Sequence, residues 1–597
     1  MPAPSRSASR QPSLRRTLLA LVAIASVLAA HRPSLAGGGP ENLLLLVNSQ
    51  SATSRAVANY YAQLRSVPPS NIVSLDVPVG NKMSVADFRT KVLMPALSTM
   101  AARGIGGQID YIVYSADFPT QIDLSGDGRP QGLGVSKPDP YAPTGSINSM
   151  TFLWQMTMTE RPNYYHPTET NRYFRHPADP LNRGVRRFLP TQAFSSWRGW
   201  DESGDAKTDG GIHYYLSTML GVTGSRGNTP AEIVAYLSAA AKADGTHPRG
   251  TIYYVQSEDK ARSGPRQGGY DAAVKELARL GVRGEVLHGQ LPIGKPDVQG
   301  TMMGVAKFDW DASGSRILPG AICDHLTSFG GLMSGGGSQS PLTAYLKYGA
   351  AGACGTVVEP LNIPDKFPNP NIHVHYAAGC SLAEAFYQSI GWPYQVLIVG
   401  DPLCQPWANI PKVTVDGITP NARTRGTLTV TPAATVAGTR GIARFDLFID
   451  GVRRDKIVSG ESFSVITNDL PDGYHELRVV AVEGGPIESQ GRAVVPFWVN
   501  NHGKVLAMSS TARRVRSSER IEIKVNGSGA ARVVVTHQGR DLGEVAGSAG
   551  RISVRAKDLG PGPATLHATS YAAAINEKEP PKPLATAAPL EITVLEN

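Results

Sequence analysis

After residue 36 no apolar run is long enough to be a membrane helix, so no membrane span is expected in the rest of this 597-residue chain. The sequence has no Gly-x-Ser-x-Gly elbow, no P-loop and no His-Glu-x-x-His. It therefore lacks the motifs of serine hydrolases, nucleotide-binding loops and zincins. Cysteine is scarce. The four present, Cys323, Cys354, Cys380 and Cys404, fall inside or at the edge of one block, Ile317 to Leu403. In an exported chain four cysteines allow three pairings, and Cys380 with Cys404 is the pair to test. Cys323 and Cys354 lie in strand-like apolar runs where a buried free thiol is equally at home.

What is present begins with a 36-residue leader. Arg6, Arg10, Arg15, Arg16 and Arg32, with no acid, frame the apolar run Leu18 to Ala30, and small residues follow at Ser34-Leu35-Ala36. This is the pattern of a secretory signal, read as residues 1–36, and Arg15-Arg16 leaves both Sec and twin-arginine export open. Losing those five arginines lowers the formal charge from +9 to about +4, so the basic balance implies no nucleic-acid partner. The expected location is secreted, periplasmic or cell envelope. With 41% hydrophobic and 18% charged residues the chain reads as a soluble globular protein, too long for one core.

From Glu41 strand and helix patterns alternate. Strands are expected at Leu43–Asn48, Asn71–Val77, Ile109–Ser115 and Thr251–Gln256, then near 285–287 and 301–306, with helices after Ser51 and over Val85–Ala102. Thr229-Pro230-Ala231-Glu232 opens another helix with a capping box. This grammar predicts a parallel α/β domain over 41–408. A loop-rich, aromatic and Arg-rich insertion at about 126–228 interrupts it, read either as a lid or as a surface excursion. Short β-rich runs over 410–500 and again over 503–597 predict two Ig-like β-sandwich domains.

The chemistry concentrates at Ile317–Leu403. A run read as a strand ends in Cys323-Asp324-His325. Cys323 is a nucleophile if His288 or His325 lowers its pKa, and a small buried filler otherwise. Asp324 and His325 alternatively serve as an acid and base or hold a metal, or simply cap a turn. Asp123 to Asp127 and Asp201 to Asp205 carry ligands at calcium-loop spacing but lack the twelfth-position Glu, so they read as Asx-rich turns. His373-Val374-His375 puts two imidazoles on one side of a strand without a third ligand. No cofactor or metal site is expected.

The block GAICDHLTSFGG, GACGTVVEP, SLAEAFYQS and VGDPL resembles the gingipain-type cysteine peptidases, which have a caspase-like fold. The resemblance spans about residues 250–410. It implies Cys323 as nucleophile and a His-Gly pair after the preceding strand. In one register that pair is His288-Gly289. In the other, GTMMGVAKFDW is that strand and Val305-Ala306 stands in its place, leaving no base. Backbone N–H groups around Phe329 to Gly331 would assist an oxyanion. LVNSQSATSRAVANYYAQLRSVPPSNI, DHLTSFGG, GTVVEPLNIPDKFPNP and LPDGYHELRVVA also resemble an uncharacterised family of exported bacterial proteins found where exosortase-type sorting occurs. No activity follows from that likeness. The combined expectation is a caspase- or gingipain-like core and two sandwiches. The protein is then either a degenerate peptidase that binds polypeptide or glycan without cleaving it, or an active cysteine peptidase using Cys323 with His288 or His325.

Overall fold

The computed structural model describes residues 38–596 apart from 131, 161, 168–169, 176–189, 336–337 and 575–580. The expected signal and part of the insertion lie outside the described residues. No helix among the described residues is long and apolar enough to cross a membrane.

The protein is mixed α/β with large sheets. In the first part of the chain β1 (Leu43–Asn48) leads into α1 (Ala52–Arg65), followed by β2 (Ile72–Leu75), β3 (Tyr111–Ala116) and β4 (Leu216–Gly221). After α2 (Pro230–Ala243) come β5 (Thr251–Gln256), α3 (Lys260–Gln267), α4 (Tyr270–Arg279), β6 (Arg283–His288), β7 (Val298–Gly304) and β8 (Ile317–Leu326). β9 (Gly352–Thr356), α5 (Ile372–Ala377), α6 (Leu382–Ser389) and β10 (Val396–Gly400) complete this part. One ten-stranded sheet runs β6-β5-β7-β8-β9-β10-β4-β3-β1-β2.

The sheet repeats a single plan. β1 to β4 are parallel in the order second, first, third, fourth, and β5 to β8 adopt the same order. β9 extends the second half in parallel and β10 turns antiparallel to it. A single residue pair, Met219 with Val399, joins the halves. LLLLVN in β1 and VLIVG in β10 are buried at every position, because a strand covered on both faces needs apolar side chains on both. At the end of β10, Gly400 has φ +144 and no room for a Cβ, which would sit 2.2 Å from the Ala351 carbonyl oxygen.

Asp401 follows it and is fully buried. It accepts from the Tyr61 hydroxyl at 2.9 Å, from Arg65 and from the Leu403 amide, while Arg65 also pairs with Asp244. The ends of α1, α2 and β10 thus meet at one guanidinium. Much of the described insertion packs into the core, although residues 202–211 are mostly exposed. Phe152, Tyr164, Tyr165, Tyr173 and Trp200 are buried, and Phe152 stacks on Tyr214 at 4.3 Å and on Tyr387 at 4.2 Å.

Beyond residue 411 the described residues are almost entirely strands, with separate apolar clusters from Ile418 to Val499 and from Leu506 to Val594. β11 (Ile442–Ile449), β12 (Asp472–Glu483) and β13 (Gln490–Val499) belong to the first cluster. β14 (Arg532–His537), β15 (Gly562–Tyr571), β16 (Pro583–Thr586) and β17 (Leu590–Leu595) belong to the second. Each cluster faces its own three-stranded sheet, yet β12 pairs with β16, so one larger sheet crosses both regions. At the joint Gly473 has φ +101, and a Cβ there would lie 2.0 Å from the Thr586 carbonyl oxygen.

The β regions are fastened to the α/β part by buried polar groups. Glu41, fully buried, pairs with Arg478 at 3.1 Å and Arg492 at 3.2 Å. Asn59 donates to the Leu559, Gly560 and Pro561 carbonyls. Burial opposes ionisation of Glu41, but the charges of Arg492 and Arg478 outweigh it and hold its pKa below the ordinary 4.5. The pair therefore contributes stability above pH 4.5 and loses it as pH falls through the lower folded value. Glu41→Gln, which leaves both arginines without this partner, is expected to lower stability at pH 7 by about 3 kcal/mol. It is also expected to flatten the fall below pH 4.5, read from urea midpoints across pH.

Candidate functional site

β8 does not end at Cys323 but runs three residues further, to Leu326. In register with β7, Thr301 faces Cys323, Met302 faces Asp324 and Met303 faces His325. Alternation puts Cys323 and His325 on one face of the sheet and Asp324 on the other. Cys323 is wholly buried, and burial followed by the neighbouring Asp324 charge pushes its thiol well above the ordinary value. Such a thiol stays protonated and unreactive.

The two expected bases do not meet it. His288 ends β6, the edge strand, with β5 and β7 between it and β8. Three strand spacings separate the two chains by about 14 Å. His325 lies two residues along the strand, about 6.5 Å away. Its Nε2 donates to the Ser340 carbonyl at 3.0 Å, and its ring sits edge-on to Phe308 and Tyr345. Burial pushes His325 down to about 4, so the ring is neutral. Among the described residues no hydrogen bond joins either histidine to Cys323.

Asp324 is occupied too. It pairs with Arg266, both side chains being at most 2% exposed, and accepts from the Cys354 thiol at 3.1 Å. Arg266 also donates to the Met303 carbonyl at 2.6 Å and the Pro368 carbonyl at 3.3 Å. Burial works to lower the Arg266 pKa, but the Asp324 charge prevails and raises it. Asp324 is thus the counter-ion of a core arginine. The turn after β8 spends two of its amides as well. Phe329 N donates to Gln339 and Gly331 N to the Thr356 carbonyl, so neither awaits an oxyanion.

The remaining candidates are structural. All four cysteines are free and buried, including Cys380 and Cys404. His373 and His375 stand on helix α5 rather than a strand and point apart. His373 Nε2 donates to the Ile322 carbonyl at 3.1 Å, whereas His375 Nδ1 shares a 2.7 Å hydrogen bond with Thr191. Asp123 pairs with Lys82, and Asp127 with Arg89 and Tyr164. Asp201 accepts from the Ser203 and Asp205 amides in an Asx turn and pairs with Lys207.

Sequence reasoning missed one titratable group. Lys366, fully buried, donates to the Pro140 carbonyl at 2.5 Å and lies 4.3 Å from the Trp392 ring and 5.3 Å from that of Tyr394. No residue pattern around Asp365-Lys366-Phe367 marks it as buried. Its ammonium is held against aromatic faces and pins the insertion to the core.

No protein-family model matches the chain, and no curated protein matches it. Solved structures do show partial likeness. The fibronectin(III)-like modules of Clostridium thermocellum CbhA are 14% identical over 31% of this chain and 94% of theirs, with a TM-score of 0.14. SGBP-B of the Bacteroides ovatus mixed-linkage glucan utilization locus, in complex with a mixed-linkage heptasaccharide, is 14% identical over 31% of this chain, with a TM-score of 0.19. Dimeric latent PorU from Porphyromonas gingivalis is 14% identical over 31% of this chain, with a TM-score of 0.13. The match spans 47% of the SGBP-B chain and 20% of the PorU chain. At these scores the likeness carries no statement about activity.

Burial pushes Lys366 down to about 7, with Asp139 and Glu359 acting the other way. Between pH 7 and about 10 the unfolded chain binds this proton and the folded chain does not, so this group makes stability rise with pH there. Lys366→Met is expected to reduce that slope, by up to about 1.4 kcal/mol per pH unit. Denaturant midpoints at pH 7, 8 and 9 measure it; an unchanged slope contradicts the assignment.

Proposed function

We propose that this is an exported, non-catalytic binding protein of the cell envelope or exterior, whose gingipain-like core is kept as a scaffold. On this reading residues 1–36 are the export signal, 41–408 the caspase-like domain, and 410–500 and 503–597 Ig-like sandwiches fixed against it. The ligand class is a polypeptide or a glycan. One observation carries the proposal: Cys323 is sealed in mid-strand, and among the described residues no imidazole hydrogen-bonds to it.

Two further observations support it. The repeated order second, first, third, fourth puts β7 directly beside β8, and the residues after β7 are Val305 and Ala306 where the gingipain resemblance calls for His-Gly. In the following turn the Phe329 and Gly331 amides are already bonded. A core built this way keeps its shape with Cys323 sealed and two of the turn amides spent.

The test is covalent labelling of the folded protein with a thiol-directed peptide probe. Wild type and Cys323→Ala are expected to be equally unlabelled, with all four thiols reacting only after denaturation. Labelling of wild type that Cys323→Ala abolishes would establish the cysteine peptidase instead.

A further inference from the structure

Resting on the non-catalytic binding reading, we infer that the cleft where α1, β12 and β15 converge binds a neutral glycan chain. The cleft has a volume of about 590 Å³ and is walled by the α/β part and both β regions. Sites of this size between packed regions are common places for ligands. Its wall presents Gln63 from α1, Tyr474 from β12, His567 from β15, Asp541 from the hairpin after β14 and Glu591 from β17. Among the described residues none of these five side chains makes a hydrogen bond or ion pair.

Three features select the ligand. First, the five groups mix donors and acceptors: two carboxylates, an amide, a phenol and an imidazole. Burial pushes His567 down to about 4, so its ring is neutral, one nitrogen donating and the other accepting. Such a set matches hydroxyl groups, each of which both donates and accepts. Second, both arginines at the wall are engaged, Arg103 by the Ser70 and Ile72 carbonyls and Arg478 by Glu41, Glu476 and the Ser66 carbonyl, while Asp541 and Glu591 are unengaged. That balance disfavours an anionic ligand. Third, an extended peptide would need a free strand edge. β12, β14 and β15 are paired on both sides, and the edge of β2 is covered by Arg103 and by Ser74 bonding the Gln538 carbonyl. Those central strands leave recognition to side chains, and Tyr474 supplies a flat apolar face. Its ring is fixed edge-on against Trp498 at 5.9 Å.

The experiment is affinity electrophoresis of the full chain through gels containing a β-glucan, an α-glucan, a mannan or a xylan, each neutral. At least one is expected to retard the wild type. Asp541→Asn combined with Glu591→Gln, both exposed positions, and separately Tyr474→Ala, should weaken that retardation tenfold or more. The unfolding midpoint of the exposed double variant should match wild type. A wild type unretarded by all four polysaccharides overturns the inference, as does equal retardation of wild type and the double variant. Binding of reduced, carboxymethylated casein that the double variant abolishes assigns the cleft to polypeptide instead. Thiol labelling of Cys323 on the same preparation separates the failures. Labelling sinks the non-catalytic reading, whereas an inert Cys323 with failed retardation sinks only the cleft assignment.

Discussion

The ion pair between Arg266 and Asp324 governs what the centre of this protein can be. Two charges taken out of water are costly unless each is matched in geometry and in its remaining hydrogen bonds. Arg266 meets most of that demand, its Nε alone lacking a partner, by joining Asp324 of β8 to the carbonyl of Met303 on β7 and that of Pro368, and Cys354 of β9 adds a thiol donor to the same carboxylate. Three neighbouring strands, α3 and the segment before α5 are tied together by these contacts. A strand held this way keeps its middle residues in the core. The block richest in reactive side chains is therefore tightly held.

The same logic recurs at the rim. Arg65 lies between Asp401 and Asp244, and Glu41 between Arg478 and Arg492. The first closes the α/β part on itself, and the second fixes the β regions against it. Because β12 and β16 share a ladder, the two β regions also hold each other. The cleft at their junction is thus shaped by fixed walls, which lowers the ordering cost of binding there.

Much of the strand grammar was legible because burial on both faces forces continuous apolar runs. Leu43–Asn48 and Thr251–Gln256 appear where LLLLVN and TIYYVQ require them, and Thr229 with Glu232 caps α2 as the sequence spells it. The site was not legible for the same reason. A run such as AICDHL shows that it is buried but not how far the strand continues, so Cys323 read as a strand end rather than a midpoint. His373-Val374-His375 was misread because two imidazoles at alternate positions look like a strand face, while the preceding Pro-Asn-Pro-Asn starts a helix. The pairing of β12 with β16 joins residues over a hundred positions apart, and no local pattern reports it. Lys366 is hidden likewise, since its cage is assembled from Pro140, Trp392 and Tyr394.

The central claim is that Ala321 to Leu326 is core rather than site. Amide hydrogen exchange across this segment tests it directly, because local opening and global unfolding differ in free energy. The account predicts that the Cys323, Asp324 and His325 amides exchange only through global unfolding, as slowly as those of Leu44 to Val47 in β1. Exchange of those three amides at the rate of the loops, with β1 still protected, would contradict it and return Cys323 to the list of reactive groups.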